Sequence, residues 1–362
     1  MKLKSSHRRV FCWAILLLLG FTVLETEAQT GSTFPAMPPH ERVIHIADIG
    51  NRDLGDYINH FVALFDTLGG TLEFSARSYQ VTTPVRILGK KNIFFEFHGA
   101  VLYVQPEFVG PTVFQICAPG LGARGGIHIR DVNIIGSKNV TVNAVSVRST
   151  NHISLSNVNI EDFSAPGSIG VLLVNAMKCN FSEVHVESAA IGVRIDSTSN
   201  LNNFRGTRIR KCTGHGLFIT NSSLNSFLGC LFESNPASVC ITVGSFNEYE
   251  TSFFNSLTSC WFENNGDGTK TSSDLLLRGS KAYRPTGTVI EDCFFGSNSQ
   301  GHPSRGIVVD NEFVEGTRIE NNMFHANYEK AIDARRSSTT HEVDNLTSRK
   351  GNIPGPLLDE LK

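Results

Sequence analysis

The sequence predicts an all-β fold in which short strands coil into a parallel β-helix, with one helix capping the N-terminal end. Residues 168–327 repeat one unit: a short apolar strand after a glycine, a polar turn with asparagine, a second strand and another turn. Phe181, Phe204 and Phe227 follow one another at a spacing of 23 residues. Within each copy apolar residues alternate with polar ones, which is the two-residue period of a strand.

A fixed period in this range is typical of a solenoid, because each unit buries its apolar face only against its neighbours. No copy holds the roughly ten residues of helical pattern that an α-solenoid needs. The Leu-x-x-Leu-x-Leu spacing of leucine-rich repeats is absent as well. One copy therefore corresponds to one rung, by which we mean one complete turn of the coil.

The first 28 residues have the pattern of a secretory signal peptide. Residues 1–9 are basic, residues 10–24 are apolar, and Thr26-Glu27-Ala28 offers small residues for cleavage after Ala28. The apolar run is shorter than the roughly 20 residues that span a bilayer, so a membrane anchor is the weaker alternative. We therefore expect a secreted protein, extracellular or periplasmic, without a membrane span.

The remaining elements follow in order. Residues 29–42 are Pro-rich and predict a flexible arm. Residues 53–68 predict an amphipathic helix that begins at Asp53, ends at Gly69-Gly70 and covers the open end of the coil. Its apolar stripe consists of Ile58, Phe61, Val62, Leu64 and Phe65. We place the β-helix domain at residues 43–330. Residues 331–362 lose the pattern, and two prolines near the end argue against further strands, so they predict a C-terminal tail or cap.

Composition excludes several classes of partner and site. A net charge of −2 offers no global field that would recruit nucleic acid or an anionic membrane. Outside the signal peptide seven cysteines remain, with no Cys-x-x-Cys, and no dense Asp cluster suits Ca²⁺. We therefore predict no metal and no cofactor. Cys230, Cys260 and Cys293 occupy the same place in successive copies and should stack inside the coil as small apolar residues.

Several segments carry a family resemblance: Ile46-Ala47-Asp48-Ile49-Gly50, the helix, Gly69-Gly70-Thr71-Leu72-Glu73-Phe74 with Ser78-Tyr79, and the repeated Phe-Glu-x-Asn at Phe232–Asn235 and Phe262–Asn265. Over residues 43–330 the chain resembles the pectate-lyase-like right-handed β-helix superfamily, in its polygalacturonase-like and tailspike-type branch. The resemblance implies a right-handed, single-stranded parallel β-helix. It specifies the reaction poorly, because this fold hosts many functions.

The catalytic motifs of that superfamily are incomplete in this sequence. Gly214-His215-Gly216 matches the Gly-His-Gly of polygalacturonases, but no adjacent Asp pair precedes it, and Arg208-Ile209-Arg210 lies upstream instead of an Arg-Ile-Lys downstream. The Arg-x-Pro-x-x-Arg signature of pectate lyases is absent. We therefore expect His215 to sit on a turn rather than in a polygalacturonase active site.

Aligning the copies places two rows of residues side by side on one outward face, because alternate residues of a strand point to opposite sides. We call these two rows the outward strip. The first row is His185, Arg208, Leu231, Trp261, Phe294 and Met323, and the second is Glu187, Arg210, Glu233, Glu263, Gly296 and His325. Sugar rings stack on aromatic faces and guanidinium groups bind carboxylates in pairs of hydrogen bonds.

The outward strip therefore predicts a site for an elongated, possibly acidic, polysaccharide. The substrate-binding residues that we predict are His185, Glu187, Arg208, Arg210 and Trp261. Two alternatives without a ligand are open. A loop that includes the insert at residues 245–255 would cover Trp261 and Phe294, and the Arg/Glu alternation would be a surface ion-pair ladder worth little.

Glu233 and Glu263 are the candidate catalytic pair. On adjacent rungs their carboxylates can lie about 5 Å apart, the separation of retaining glycosidases. The alternative is that Glu before Asn at a recurring coil end bonds turn amides. Two function classes follow: a secreted polysaccharide hydrolase or lyase, and a non-catalytic β-helix that binds glycans or mediates surface interaction.

Overall fold

The computed structural model describes residues 42–348 except 51, 66–67, 118–123, 243–251, 268, 270–271, 281–283, 297–304, 326–327 and 335–336. The predicted signal peptide, nearly all of the predicted arm and the last residues of the predicted tail lie outside the described residues. Within the described part of the chain, no helix has the length and apolar character needed to cross a bilayer.

The described residues form one helix and 29 strands. In chain order the elements are β1 (Val43–Ile46), α1 (Leu54–Leu64), β2 (Gly70–Phe74), β3 (Ser78–Val81), β4 (Val85–Leu88), β5 (Ile93–Val104), β6 (Thr112–Cys117), β7 (Arg124–Ile135), β8 (Asn143–Arg148), β9 (Asn151–Glu161), β10 (Ile169–Val174), β11 (Asn180–Glu187), β12 (Ile191–Asp196), β13 (Asn203–Arg205), β14 (Arg208–Arg210), β15 (His215–Thr220), β16 (Ser226–Leu228), β17 (Leu231–Glu233), β18 (Ala237–Thr242), β19 (Ser256–Thr258), β20 (Trp261–Glu263), β21 (Ser273–Arg278), β22 (Val289–Glu291), β23 (Phe294–Gly296), β24 (Arg305–Val309), β25 (Arg318–Glu320), β26 (Met323–His325), β27 (Lys330–Asp333), β28 (His341–Val343) and β29 (Leu346–Ser348).

Each rung contributes strands to three faces, and every strand pair is parallel. Face 1 runs from β1 and β2 through the first halves of β5, β7, β9 and β11 to β13, β16, β19, β22, β25 and β28. Face 2 runs from β3 through the second halves of the same long strands to β14, β17, β20, β23, β26 and β29. Face 3 is the separate ten-stranded sheet from β4 to β27. The predicted right-handed parallel β-helix is confirmed.

Tight bends between the faces explain the polar turns of the repeat. Between faces 1 and 2, successive rungs bend at residues with left-handed backbone: Glu183 (φ 53°), Gly206 (φ 60°), Gly229 (φ 61°) and Ser259 (φ 52°). Glycine adopts this conformation without cost, whereas most other residues are disfavoured there. The bend positions therefore repeat in the sequence at the rung period.

Identical residues stack inside the coil because the strands pair in register. The ring centroids of Phe181 and Phe204 lie 4.4 Å apart, and those of Phe204 and Phe227 lie 4.7 Å apart. A second stack continues through Phe262 and Phe295, at 4.5 Å. All five rings are buried. The inward phase predicted from the phenylalanine spacing is therefore confirmed.

The three cysteines Cys230, Cys260 and Cys293 form the inward column that the repeat predicted, and each is buried. They do more than fill space. Their thiols donate to backbone carbonyl oxygens of neighbouring rungs, as Cys260 Sγ does to Phe227 at 3.4 Å. In the rung after Cys293, Asn322 Nδ2 makes the equivalent hydrogen bond, to the carbonyl oxygen of Ile290 at 3.0 Å. The cysteines thus occupy a position that an asparagine takes elsewhere in the same column.

Helix α1 caps the N-terminal end as predicted. The Asp53 side chain accepts from the Asp56 backbone N–H at 2.9 Å and begins the helix. Asn59 closes the open edge of β4, since its Nδ2 donates to the Pro84 carbonyl at 2.8 Å and its Oδ1 accepts from Arg86 N at 2.7 Å. These contacts satisfy backbone groups that an uncapped coil would expose to solvent.

The helix ends earlier than the pattern predicted, at Leu64 instead of residue 68, and Leu64 is exposed rather than part of the apolar stripe. Lys90 explains the end. Its Nζ donates to the carbonyl oxygens of Ala63 at 3.1 Å and Phe65 at 2.8 Å. The last turn is thereby satisfied by a residue distant in sequence.

The β-helix continues beyond residue 330, where the sequence pattern predicted its end. Strands β27, β28 and β29 extend the three faces to Ser348. The side chains of these strands are mostly exposed or half-buried, so the apolar alternation fades while the backbone pairing persists. The column of asparagines at the turns also continues into this segment, because Asn345 Oδ1 accepts from Asn322 N at 3.0 Å.

We predict that Phe204→Ala and Phe227→Ala will each lower the free energy of unfolding by about 3–5 kcal/mol, because each leaves a cavity in the stacked column. Phe254→Ala is the matched control, since that side chain is 58% exposed, and it should cost less than about 1 kcal/mol. Denaturant melts of the three variants measure this. Equal losses at buried and exposed positions would contradict the stacking.

The buried carboxyl of Asp274 makes the stability of the fold depend on pH. Its fully buried carboxylate accepts from Tyr328 Oη at 2.6 Å and Asn265 Nδ2 at 2.9 Å. Burial raises the pKa of Asp274 to about 7. Because this folded-state pKa lies above the ordinary value, the stability that Asp274 contributes is complete at acid pH and is lost as pH rises through about 7.

Asp274→Asn should therefore become more stable relative to the wild-type protein as pH is raised from about 5 to about 8. Chemical denaturation of both proteins at the two pH values measures the difference. Exposed Asp267→Asn is the control and should show no such trend across this range. A difference between Asp274→Asn and wild type that stays constant with pH would contradict a buried, proton-binding carboxyl.

Candidate functional site

The strand register builds the outward strip on face 2 as the repeat predicted. His185, Arg208, Leu231, Trp261, Phe294 and Met323 are successive Cα partners. Glu187, Arg210, Glu233, Glu263 and Gly296 form the neighbouring row. The strip therefore runs parallel to the axis of the coil, with rungs about 4.8 Å apart. All seven predicted site residues lie on it.

The N-terminal half of the strip contains a polar pocket of about 280 Å³. Its polar lining residues are Asn159, Glu161, His185, Glu187, Arg208 and Arg210. Asn159 and Glu161 were not predicted from the sequence, because they precede the first clear copy of the repeat. Their register with His185 and Glu187, 26 residues later, was the available signal.

The guanidinium of Arg210 is occupied by contacts with carboxylates of the protein itself. Its Nε and Nη2 donate to the two carboxylate oxygens of Glu187 at 2.9 and 3.3 Å, and Nη1 lies 3.7 Å from Glu233. Lys211 Nζ also donates to Glu187, at 2.8 Å. The Lys211 ammonium, aided by Arg210, holds the pKa of Glu187 below its ordinary value, and Glu187 raises the pKa of Arg210. In this part of the strip, the Arg/Glu alternation therefore forms the surface ion-pair ladder that the sequence offered as an alternative.

Arg208 and His185 form the other side of the pocket. Arg208 is exposed, and no carboxylate of the described residues forms an ion pair with it. His185 is half-buried, and burial together with the charge of Arg208 lowers its pKa below the ordinary value. The imidazole is therefore neutral at neutral pH, with one ring nitrogen that donates and one that accepts.

The C-terminal half of the strip is aromatic. Trp261 is 47% exposed, and its ring centroid lies 4.2 Å from that of Phe294, with the planes inclined by 40°. Trp261 Nε1 donates to Glu263 Oε2 at 3.2 Å, which fixes the indole on the face. Trp261 is exposed in the part of the chain that the structure describes. The predicted cover by the insert at residues 245–255 falls mostly on residues 243–251, which lie outside the described residues.

Glu233 and Glu263 are Cα partners on adjacent strands, as the catalytic hypothesis requires. Their carboxylates have different neighbours. Glu233 lies beside Arg210, whereas Glu263 accepts from Trp261 and, at 3.5 Å, from Asn264 Nδ2. The pairing places them in the strip without establishing a reaction, so their catalytic role stays a prediction.

His215 lies away from the strip. It is the first residue of strand β15 on face 3, rather than part of a turn as the sequence predicted. Its ring is half-buried, with its centroid 5.1 Å from that of Phe218, and burial lowers its pKa. Among the described residues, no group of three His, Cys, Asp or Glu side chains is arranged to hold a metal ion.

Comparisons with known proteins agree with this architecture. The family model described as a right-handed beta helix region matches residues 115–254. No curated protein matches the sequence. Among solved structures, ORF18 of Geobacillus virus E2 is 13% identical with a TM-score of 0.55, over 83% of this chain and 59% of that one. The present chain thus spans less than two thirds of that protein.

Two further structures cover most of both chains. The surface adhesin PfbA of Streptococcus pneumoniae is 10% identical with a TM-score of 0.52, over 81% of this chain and 85% of that one. The endo-xylogalacturonan hydrolase of Aspergillus tubingensis is also 10% identical, with a TM-score of 0.51, over 85% and 93%. At these identities the likeness shows the fold alone. The chain is a right-handed parallel β-helix protein, as its resemblance to the pectate-lyase-like superfamily implied.

Proposed function

We propose that this is a secreted, polysaccharide-active β-helix protein, a hydrolase or lyase, whose elongated ligand lies along the outward strip. The observation that carries the proposal is the half-exposed Trp261, which packs against Phe294 in the same axial row as the Arg208 and His185 pocket. A ligand that uses both must be extended along the coil. Polysaccharides have this shape, and they present apolar ring faces together with hydroxyl or carboxylate groups.

Trp261 and Phe294 supply the part of the site that any glycan could use. Stacking a sugar ring on an indole removes apolar area of both partners from water, without requiring a particular hydroxyl pattern. The hydrogen bond to Glu263 limits rotation of the Trp261 ring, so less conformational entropy is lost on binding. This geometry supports the binding half of the proposal.

Glu233 and Glu263 supply the candidate chemistry. In a retaining hydrolase one carboxylic acid protonates the leaving oxygen, and the other carboxylate attacks the sugar carbon to form a glycosyl intermediate that water cleaves. Adjacent rungs give the two backbones a separation of about 4.8 Å, which suits this arrangement. A sugar on Trp261 would lie next to both residues.

The second candidate is a non-catalytic β-helix that binds glycans or mediates surface interaction. The hydrogen bond between Glu263 and the Trp261 indole favours it, because a carboxylate that positions an aromatic platform needs no catalytic role. The fold is also compatible, since the similar protein from Streptococcus pneumoniae is a surface adhesin. Turnover distinguishes the two candidates.

Trp261→Ala should weaken binding to any polysaccharide that the protein retains by about 1–3 kcal/mol, through lost stacking area. Phe254→Ala, which removes an exposed ring away from the strip, is the matched control and should leave binding unchanged. A panel of neutral and acidic polysaccharides on affinity gels measures this. Unchanged binding in Trp261→Ala would remove the strip as the ligand site.

Glu233→Gln and Glu263→Gln should each lower turnover by at least about 100-fold while retaining ligand binding. Reducing ends and unsaturated-uronate absorbance report hydrolysis and elimination separately. If the wild-type protein turns over a polysaccharide and both variants do so at the same rate, this pair is excluded as catalysts. Retained binding without any wild-type turnover on the panel would favour the non-catalytic candidate.

A further inference from the structure

We propose that face 1 is the interface of a homodimer, in which two copies of this chain pack antiparallel and bury an exposed apolar ridge. The apolar ridge consists of Leu201, Leu224 and Phe254, at the corner where face 3 turns into face 1. The inference is independent of the proposed function, because the outward strip lies on face 2.

The three residues of the apolar ridge form one column along the coil. Leu201 N donates to the Ser223 carbonyl at 3.2 Å and Leu224 N to the Phe253 carbonyl at 2.8 Å, so each corner is bonded to the next. All three have left-handed backbone, with φ values of 60°, 59° and 51°. This conformation brings the Cβ of an L-residue close to backbone oxygen, and it is unusual for bulky side chains.

The same corner uses glycine in the next two rungs, at Gly287 and Gly316. A Cβ on Gly287 would lie 2.5 Å from the Phe254 ring, so the missing side chain lets this ring lie along the corner. Large apolar residues are therefore not required by the turn itself. Three of them occupy consecutive rungs where glycine would fit the backbone better.

The apolar ridge is also exposed to water. Among the described residues, Leu201 is 40% exposed, Leu224 46% and Phe254 58%. Apolar area that stays in water adds nothing to the stability of a single coil. These side chains are thus unfavourable for one chain in both backbone conformation and hydration, and a contiguous exposed apolar row is typical of a contact surface.

The part of face 1 next to the ridge has few charges. On strands β13, β16 and β19, which the structure describes completely, Arg205 is the one charged side chain. In the same rungs, β14, β17 and β20 of face 2 hold four. Leu228 on β16 is another exposed apolar residue, at 43%. Depletion of charge around an apolar centre is the composition found at protein–protein interfaces.

The order of residues along the ridge fits a second copy that runs in the opposite direction. A two-fold axis through the Leu224 rung places Leu224 against Leu224 and Leu201 against Phe254 of the second copy. Lys178, which precedes Leu201 in the column, then faces Gly287, which has no side chain. Because both coils have the same rung spacing, all these pairs align together.

The neighbouring row gives the same two-fold axis complementary charges. Its order is Arg205, Leu228, Thr258 and Glu291, which are successive Cα partners. Reversal places Leu228 against Leu228 and Arg205 against Thr258 of the second copy, one rung from its Glu291. Each guanidinium thereby meets an opposite charge, and the symmetry creates two such pairs, one on either side of the apolar centre.

A parallel arrangement fits these residues less well. It would place the apolar ridge of one copy against the Arg205 row of the other, so that Arg205 faces Leu201 and is buried without a polar partner. The antiparallel arrangement has one like-charge approach, between Glu183 and Asp292. Both are exposed at the far corner of face 1, where salt screens their repulsion.

The size of the surface suits a weak dimer. Five rungs from β11 to β22, about 4.8 Å apart, and six residues across, about 3.3 Å apart, outline roughly 480 Å² in flat projection. Accessible area exceeds its flat projection because side chains protrude. The estimate therefore approaches the lower end of specific interfaces, about 600 Å² per partner, and we expect a dissociation constant in the micromolar range.

Sedimentation velocity of the full chain, from about 1 to about 100 µM, tests the proposal. The parent protein should pass from monomer to dimer across this range. Leu224→Asp should weaken association by at least about 100-fold, because two carboxylates then meet at the two-fold axis. The matched control is Leu88→Asp, which changes a leucine that is 50% exposed on face 3 and should dimerise like the parent.

Leu224→Asn separates loss of the interface from loss of the fold. Asparagine tolerates left-handed backbone better than leucine, so the monomer should resist denaturant at least as well as the parent at about 1 µM. Association should nevertheless weaken. A variant that was merely misfolded would lose both.

Disulfide cross-linking tests the orientation. With oxidised glutathione as the oxidant, which is reduced as each disulfide forms, Leu224→Cys should cross-link to itself. Leu201→Cys should not, because its two copies lie two rungs, or about 10 Å, apart, but it should cross-link to Phe254→Cys in a mixture of the two proteins. The parent protein, with its own cysteines, is the control for background cross-linking.

Three results would overturn the proposal. A parent protein that stays monomeric at about 100 µM has no such dimer. Unchanged association of Leu224→Asp would place the interface on another surface. Cross-linking of Leu201→Cys to itself, without cross-linking to Phe254→Cys, would contradict the antiparallel arrangement.

Discussion

Parallel, in-register backbone pairing is the constraint on which the whole molecule depends. It makes each sequence position one member of a column that runs along the axis at the rung spacing. Inside the coil this rule stacks Phe204 on Phe227, and outside it aligns Arg208 with Leu231 and Trp261. The core and the candidate site therefore share one cause. Whether a residue belongs to the core or to the candidate site is decided by the column that it occupies.

The bends make this pairing possible within a short repeat. The corners between faces 1 and 2 turn the chain through left-handed residues such as Gly206 and Gly229, and they leave inward backbone groups that need partners. Buried asparagines supply them, as Asn235 does when its Nδ2 donates to Ile209 and to Asn265 Oδ1. The thiol of Cys260 makes the same kind of bond at a position that an asparagine, Asn322, takes in a later rung of its own column. The polar interior is thus structural, and it leaves the outward rows free to vary with function.

The sequence predicted what the period controls and failed where distant contacts decide. Alternation within a fixed repeat gave the inward phase of the phenylalanines and cysteines and the two rows of the outward strip. It did not show that Lys90 ends the capping helix at Leu64, because that contact joins residues far apart in the chain. It missed the rungs after residue 330, since backbone pairing there needs no apolar pattern. It also ranked the two arginines alike, because only side-chain placement shows that Glu187 holds Arg210.

The proposed ligand lies on face 2 and follows a path along the axis, and a structure of the protein with a bound oligosaccharide would show whether it does. We expect density along β14, β17 and β20, with one sugar ring over Trp261 and the chain continuing into the pocket lined by Arg208. Density on face 1, density at His215 on face 3, or a chain that crosses the strands at right angles to the axis would contradict it.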